Sequence, residues 1–240
     1  MTELLFRADA YRRVAPARVA ALPETGGVVL DASLFYPRGG GQPGDSGRLA
    51  WDGGEMAVAD TVKGEGGAVV LLPAEGAGLP PIGAELTQEL DWGTRFLNMR
   101  THTALHLLSV VIPLPVTGGQ IAPGRGRLDF DMPDPPEDLP GIEAQLNALI
   151  ARDLPVGEDW ITDAELAANP GLVKTMSVQP PRGAGRVRLV RIGEEGNGEV
   201  DLQPCGGTHV RSTAEIGKVT LGKIEKKGRQ NRRVSVILSG

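Results

Sequence analysis

The chain has 240 residues, of which 40% are hydrophobic and 23% are charged. These proportions are typical of a soluble globular protein with one large domain or two modest ones. No apolar run is long enough to span a membrane, no signal-peptide pattern is present, and a single cysteine cannot form an internal disulfide. We therefore expect a cytoplasmic protein without membrane association. The 34 glycines and 19 prolines favour many turns and short strands.

The first ninety residues contain several short apolar segments, each bounded by glycine or proline. This spacing is typical of a small antiparallel β-barrel or sandwich. The predicted strands are 26–33, 47–53, 56–64, 67–73 and 84–91.

A glycine-rich segment, FYPRGGGQPGDSG (35–47), lies between the first two of these strands. It lacks the Gly-Lys-Ser/Thr ending of a Walker loop, and it is not followed by the helix pattern that a dinucleotide fingerprint requires. Its consecutive glycines expose backbone N–H groups that could contact phosphate or ribose. The alternative is a long turn between two barrel strands, and the residue pattern by itself leaves both readings open.

Apolar residues change to helical spacing after residue 91. The segment 95–111 has a wide apolar surface, with Thr94 in position to cap the helix and Pro113 beyond its end. The change from short strands to a helix predicts a domain boundary, with a β-barrel domain over 1–92 and a second domain over 93–240.

Residues 93–240 mix helical and strand patterns, which predicts an α+β domain. Helical patterns occur within 138–155 and 162–171. The predicted strands are 125–133, 186–193 and 198–204, followed by a hairpin formed by 217–228 and 231–239.

The histidines and the cysteine occur in two pairs with the same spacing. His102 and His106 lie one turn apart on the predicted helix, so their side chains project from one face. Cys205 and His209 flank two glycines and a threonine, and the glycines allow thiolate and imidazole to converge. Three imidazoles and one thiolate suit a tetrahedral Zn2+ site. Thr103 stands where a zinc peptidase of the HExxH type has its glutamate, which disfavours that class.

The net charge is −5, but basic residues are concentrated toward the end of the chain. The segment 217–234 has seven lysines and arginines against one glutamate, and 182–191 adds four arginines. Such local positive charge can contact phosphates even in an acidic protein, although a solvated charged hairpin is the alternative. The strongest candidates for phosphate contact are Lys226, Lys227, Arg229, Arg232 and Arg233.

The HTALH and CGGTH motifs, with FYPRGGGQPGDSG upstream, resemble the alanyl-tRNA editing proteins (AlaX), free-standing relatives of the alanyl-tRNA synthetase editing domain. The match runs from the glycine-rich segment to the basic hairpin. The chain is similar to the medium-length class of these proteins. It implies a translation-factor-like antiparallel β-barrel followed by an α+β editing domain of the threonyl/alanyl-tRNA synthetase type. It also implies deacylation of tRNA(Ala) carrying serine or glycine, and we infer no protein partner from it.

The resemblance also assigns residues. It places zinc on His102, His106, Cys205 and His209. It implies a substrate contact for Gln120, with Thr117 as a possible second one. An editing site should hydrogen-bond the seryl hydroxyl, and Gln120 and Thr208 have that chemistry, so they are the catalytic candidates. The backbone N–H groups of the Gly-Gly-Thr segment could stabilise an oxyanion. The candidate tRNA contacts in the glycine-rich segment are Gly39, Gly40, Gly41, Gln42 and Asp45.

Three other functions stay open at this point. One is a zinc-stabilised RNA-binding module without catalysis. Another is editing of a different mischarged tRNA, such as seryl-tRNA(Thr). The third is hydrolysis of small esters or amides. Zinc could activate water or position the substrate, and the sequence names no general base.

Overall fold

The structure, a computed structural model, describes residues 2–175 and 185–239. It forms two compact units, Met1–Phe96 and Leu97–Gly240. The division falls within a helix, so the separation into two domains at residues 92 and 93 stays a prediction. No helix in the described ranges is both long and apolar enough to cross a bilayer.

The first unit is built mainly from short strands. Its elements are β1 (Glu3–Leu4), α1 (Leu5–Ala8), β2 (Val14–Ala21), β3 (Val28–Leu30), β4 (Ala32–Ser33), β5 (Gly47–Trp51), β6 (Gly54–Lys63), β7 (Val69–Pro73) and β8 (Glu85–Leu90). Six of these strands close an antiparallel barrel in the order β2-β3-β7-β6-β5-β8. Leu30, Leu49 and Leu71 fill its interior with no exposed surface, as the alternation of inward and outward side chains requires.

The barrel confirms one of the two predicted β architectures and excludes the open sandwich. β2 was not predicted, because its sequence VAPARVAA is rich in alanine and proline, which are poor strand formers. Pairing with β8 over Val14–Arg18 holds this segment in the barrel despite its weak local preference. The translation-factor-like assignment of the barrel stays a prediction.

The glycine-rich segment forms a tight turn between β4 and β5. Gly39 and Gln42 exchange two backbone hydrogen bonds of 3.0 Å each. Between them, Gly40 and Gly41 have φ angles of +58° and +83°. A type I′ turn needs positive φ at both central positions, and glycine adopts it without strain.

A buried ion pair lies behind this turn within the same unit. The Asp45 carboxylate accepts hydrogen bonds from the Tyr36 N–H at 2.5 Å and the Arg95 Nε at 2.9 Å. Arg95 also donates to the Leu34 carbonyl at 2.7 Å. The side chains of Arg95 and Asp45 are 0% and 1% exposed. Asp45 therefore holds the glycine-rich segment from inside.

The second unit mixes helices and antiparallel strands, as predicted. Its elements are α2 (Trp92–Val111, which begins in the first unit), β9 (Val116–Ala122), β10 (Arg125–Asp131), α3 (Leu139–Ala151), β11 (Val156–Thr162), α4 (Asp163–Ala168), β12 (Arg186–Glu194), β13 (Asn197–Pro204), β14 (Val219–Leu221), β15 (Glu225–Lys227) and β16 (Asn231–Leu238). One sheet has the order β14-β16-β10-β9, with β15 also pairing β16, and the other has the order β11-β12-β13.

Helix α2 packs closely on the first sheet. A Cβ atom at Gly126 of β10 would lie only 2.7 Å from Thr101 Cγ2 and 2.9 Å from Leu105 Cδ1. Glycine at this position therefore permits the helix to approach the strand. β9 and β11 were not predicted from the sequence, and the two consecutive glycines of β9 weaken its strand signal.

The start of α2 corrects one prediction. The helix begins at Trp92, and its N-cap is Asp91 rather than Thr94. The Asp91 carboxylate accepts hydrogen bonds from the Thr94 N–H at 3.1 Å and the Thr94 hydroxyl at 2.7 Å. These bonds lower the pKa of Asp91, and the bond from the Thr94 hydroxyl has the largest effect. An aspartate at the N-cap accepts a hydrogen bond from a free backbone N–H group of the first helical turn, and Thr94 lies too far into the helix for that role.

Candidate metal centre

The two predicted pairs form one compact group. His102 and His106 come from α2, and Cys205 and His209 come from the loop after β13. Their potential ligand atoms all lie within 4.8 Å of one another, and all three imidazoles are buried. Packing of β13 beside α2 brings together residues about a hundred positions apart. The group could hold a metal ion.

Two distances within the group match those expected around a tetrahedral ion. Bonds of about 2.0–2.3 Å place neighbouring ligand atoms about 3.3–3.8 Å apart. Cys205 Sγ lies 3.5 Å from His102 Nε2 and 3.3 Å from His209 Nε2. The donor set therefore has the chemistry of a tetrahedral N/S site, and these two distances lie in the range that such a site requires.

The protonation states of Cys205 and His209 favour metal ligation. Burial raises the pKa of the Cys205 thiol, but the neighbouring His102 and His209 outweigh it and lower this pKa well below its ordinary value. Burial has the largest effect on His209 and the charge of nearby His102 the next largest, and both lower its pKa well below its ordinary value. Thiolate and neutral imidazole are the forms that bind metals.

A buried carboxylate orients His106. Asp201 Oδ2 lies 2.9 Å from His106 Nδ1, which fixes Nδ1–H toward Asp201 and leaves Nε2 for the group. Burial lowers the pKa of His106, but the hydrogen bonds to Asp201 and Cys205 and the negative charges of both groups together outweigh it and raise the pKa to about 9. Metal binding must therefore displace a proton from His106. Asp201 also accepts hydrogen bonds from Lys174 Nζ at 2.5 Å and Gln203 Nε2 at 2.8 Å. These partners hold the carboxylate in place.

A hydroxyl orients His209 in the same way. Thr103 Oγ1 lies 3.1 Å from His209 Nδ1 and donates its own proton to the Met99 carbonyl at 3.0 Å. The hydroxyl oxygen therefore accepts from Nδ1–H, which leaves His209 Nε2 for the group. Thr103 thus supports a ligand at the position where a zinc peptidase has its glutamate.

Sequence reasoning missed Asp201 and the supporting role of Thr103. Asp201 lies in VDLQPCGGTH, four residues before Cys205. The sequence of a strand followed by a turn does not show which of its side chains face a helix from another part of the chain. The local signal was the alternation of Asp201 and Gln203 with Val200 and Leu202, and the structure shows that the polar pair is the buried one.

The structure does not bring Gln120 to the group. Gln120 pairs with Arg127 across β9 and β10, and its Oε1 accepts from Arg127 Nη2 at 2.7 Å and Nε at 3.1 Å. Neighbouring Gly126 occupies the opposite face, which packs on α2. Because strand side chains alternate, Gln120 points away from the helix that carries the two histidines. Thr117 donates to the Asp129 carbonyl at 3.1 Å.

Thr208 lies in the loop between Cys205 and His209 and is 1% exposed. It is therefore the candidate for hydroxyl recognition that lies beside the group.

The basic residues separate into two sets. Lys226, Lys227 and Arg229 are exposed around the turn before β16. Arg232 is 8% exposed and donates to the Pro133 carbonyl, and Arg233 binds the Asp129 carboxylate at 2.7 and 2.9 Å.

Other predicted contact residues are also divided by burial. Gly40 and Gly41 are exposed, whereas Gln42 and Asp45 are 2% and 1% exposed. Arg188 and Arg191 are bonded to carboxylates, and Arg182 lies outside the described residues.

Comparison with known proteins adds two family matches. Residues 187–235 match the threonyl and alanyl tRNA synthetase second additional domain, and residues 13–94 match the class II (A) tRNA synthetases. The chain is also 31% identical to the alanyl-tRNA editing protein AlaX-M of Saccharolobus solfataricus, over 98% of both proteins. It is 33% identical to AlaX-M of Methanosarcina acetivorans, also over 98% of both.

The chain belongs to the alanyl-tRNA editing protein family. The matched lengths agree with the AlaX-M form of that family. The alanine–tRNA ligase of Pyrobaculum neutrophilum is 37% identical over 94% of this chain, but the chain spans only 25% of that ligase. The second additional domain match includes Cys205 and His209, so half of the candidate metal centre lies in a region shared with synthetases.

Proposed function

We propose that this protein is a zinc-dependent aminoacyl-tRNA deacylase that removes serine, or glycine, from mischarged tRNA(Ala). The observation that carries the proposal is the buried His102, His106, Cys205 and His209 group, in a chain that matches AlaX-M relatives over 98% of their length.

Zinc is the proposed metal because the donors are three imidazole nitrogens and one thiolate sulfur. These soft and borderline donors disfavour magnesium and calcium, which prefer oxygen ligands. When bound, zinc supplies Lewis acidity toward the ester carbonyl or a water molecule. Asp201 and Thr103 hold two of the imidazoles with Nε2 facing the metal.

A separate hydrolytic site is needed because an aminoacylation pocket discriminates poorly between alanine and serine. A pocket built for alanine rejects serine only about 10²-fold, because the added hydroxyl is small. The editing site must invert that preference by hydrogen-bonding the hydroxyl, which leaves its own polar groups unpaired when alanine enters. We assign that contact to Thr208, which lies beside the metal ligands. A role for Gln120 requires its side chain to leave Arg127.

The tRNA is held through its phosphates. We propose that the exposed Lys226, Lys227 and Arg229 contact the backbone, together with the exposed Gly40–Gly41 turn. Arg232, Arg233, Gln42 and Asp45 act by holding these surfaces in shape. The proposed setting is the cytoplasm, where aminoacylated tRNA is used.

The test is a deacylation assay with purified protein and four substrates: seryl-, glycyl- and alanyl-tRNA(Ala), and seryl-tRNA(Thr). Release of serine from tRNA(Ala), its loss on chelation and its return with Zn2+ are the expected results. The alanyl substrate should be spared. Binding of tRNA without any release would instead support a zinc-stabilised RNA-binding module. Faster release from tRNA(Thr) would reassign the substrate.

A further inference from the structure

The Cys-Gly-Gly-Thr-His loop is held at its end by His209, which contacts Thr103, but its Gly206–Gly207 segment has no side chains of its own to hold its shape. Gly206 is exposed, and a Cβ atom there would meet nothing within 4 Å. Neither Gly206 nor Gly207 has a positive φ angle. Gly206 is therefore not required by local sterics, and two consecutive glycines allow the loop many conformations. Some other group must hold the loop in the conformation that places Cys205 in the metal group.

Arg188 on β12 makes the contacts that restrain this loop. Its Nη1 donates to the Cys205 carbonyl at 2.7 Å and to the Gly207 carbonyl at 3.0 Å. Its own backbone carbonyl accepts the Cys205 N–H at 3.2 Å. Three hydrogen bonds thus join one residue to the start of the loop.

The guanidinium is itself anchored on the neighbouring strand. Arg188 Nη2 donates to Glu158 Oε1 of β11 at 2.6 Å. The side chains of Arg188 and Glu158 are 10% and 38% exposed. A planar guanidinium can bind two carbonyls through one nitrogen and a carboxylate through another, whereas a lysine ammonium offers no such fixed geometry. The site is therefore suited to arginine.

This arrangement has a consequence for the backbone of the loop. The described chain contains no cis peptide bond, so the Gly206 N–H points opposite to the Cys205 carbonyl. Because that carbonyl faces Arg188, the N–H of Gly206 faces away from Arg188. Within the described residues this N–H has no hydrogen-bond acceptor, although it belongs to an exposed residue next to a metal ligand.

We infer that Arg188 is a positioning residue that turns the Gly206 N–H toward the ester carbonyl oxygen of the substrate. The inference rests on the proposed function for its catalytic part. In hydrolysis, a water oxygen adds to the carbonyl carbon, and negative charge develops on the carbonyl oxygen. The bond to the ribose oxygen then breaks, and that oxygen takes a proton, which releases the amino acid and the tRNA. A backbone N–H aimed at the developing charge stabilises this step.

The first experiment needs neither metal nor substrate. Hydrogen exchange of the segment 205–210 is compared in metal-free wild type, Arg188→Met and Arg191→Met. Arg191 lies on the same strand and pairs with Asp159 and with Glu199 of β13, so its replacement is the matched control for loss of a β12 arginine whose partners lie outside the loop. Arg188→Met should exchange at least about tenfold faster in this segment, while Arg191→Met matches wild type. Equal exchange in all three would overturn the inference.

The second experiment uses zinc-loaded protein. Arg188→Met should keep one zinc per chain and a KM within about twofold of wild type, while kcat falls about 100-fold. An unchanged kcat with faster exchange would overturn the assignment of Gly206 as a donor. If wild type deacylates no mischarged tRNA, the proposed function fails, but the exchange experiment still decides whether Arg188 holds the loop.

A milder variant covers the case in which Arg188→Met does not fold. Glu158→Gln leaves Arg188 in place and removes the charge that anchors it. Faster exchange of 205–210, in the same direction as for Arg188→Met but smaller, is expected. Wild-type exchange in Glu158→Gln would contradict the anchored arrangement.

Discussion

His106 Nδ1 lies 2.9 Å from Asp201 Oδ2, and this contact joins the helix that carries two candidate ligands to the strand that precedes the other two. The carboxylate binds the Nδ1 proton of His106 and makes the Nε2 atom a stronger metal ligand. It also binds Lys174, so the negative charge of Asp201 is balanced on both sides. Metal affinity should therefore depend on a residue that does not itself touch the metal.

Replacing Asp201 with asparagine should weaken zinc binding about 10- to 100-fold, because the carboxylate no longer supports His106. Competition with a chromophoric chelator measures this change. Asp159→Asn is the control, since Asp159 pairs with Arg191 and is not among the grouped residues. Equal affinity in Asp201→Asn and wild type would refute the role assigned to this carboxylate.

The hydroxyl of Thr103 should matter separately. Thr103→Val keeps the side-chain shape but leaves His209 Nδ1–H without its acceptor, so zinc affinity should fall about tenfold. Thr103→Ser keeps the hydroxyl and should stay near wild type. The same chelator competition decides this, and a valine variant as tight as the serine variant would contradict the prediction.

The Asp45–Arg95 pair should be important for stability of the first unit. Asp45→Ala leaves a buried, uncompensated guanidinium, so the free energy of unfolding should fall by about 3–5 kcal/mol. Arg18→Ala, which removes one member of an exposed pair with Glu85, should cost less than about 1 kcal/mol. Urea unfolding measures both, and similar losses in the two variants would count against a buried-charge effect.

Exposed and engaged basic residues should differ in tRNA binding. Arg229→Gln should weaken binding and reduce the slope of log affinity against log salt by about one, as expected for a phosphate contact. Arg233→Gln should instead lower stability, because Arg233 is bonded to Asp129. Filter binding at several salt concentrations separates the two, and an unaltered salt slope for Arg229→Gln would remove it from the interface.

The cap of α2 gives a prediction for pH. Asp91→Ala should lower the free energy of unfolding by about 1 kcal/mol at neutral pH. The folded pKa of Asp91 is lowered from 3.8, so its stabilisation is present above the unfolded pKa and is lost as pH falls through the folded pKa. The difference between the variant and wild type should therefore shrink in acid. A difference in the free energy of unfolding that stays constant as the pH falls through the folded pKa of Asp91 would argue against a charged cap.

The sequence by itself determined the features that depend on local spacing. His102 and His106 share a helix face because one turn separates them, and glycines and prolines divide the first ninety residues into short strands. Motif order also indicated the family. Each of these follows from periodicity or from a short contiguous pattern.

Only the tertiary structure decided which distant residues meet. Asp201 and Thr103 contact two of the grouped imidazoles, and Arg188 contacts the loop that carries Cys205. Nothing in their neighbours along the chain indicates such partners. Burial likewise placed Asp45 and Arg232, both predicted as tRNA contacts, inside the structure. The physical reason is that partner choice depends on packing between segments far apart in the chain, whereas residue pattern describes only the surface that each segment offers.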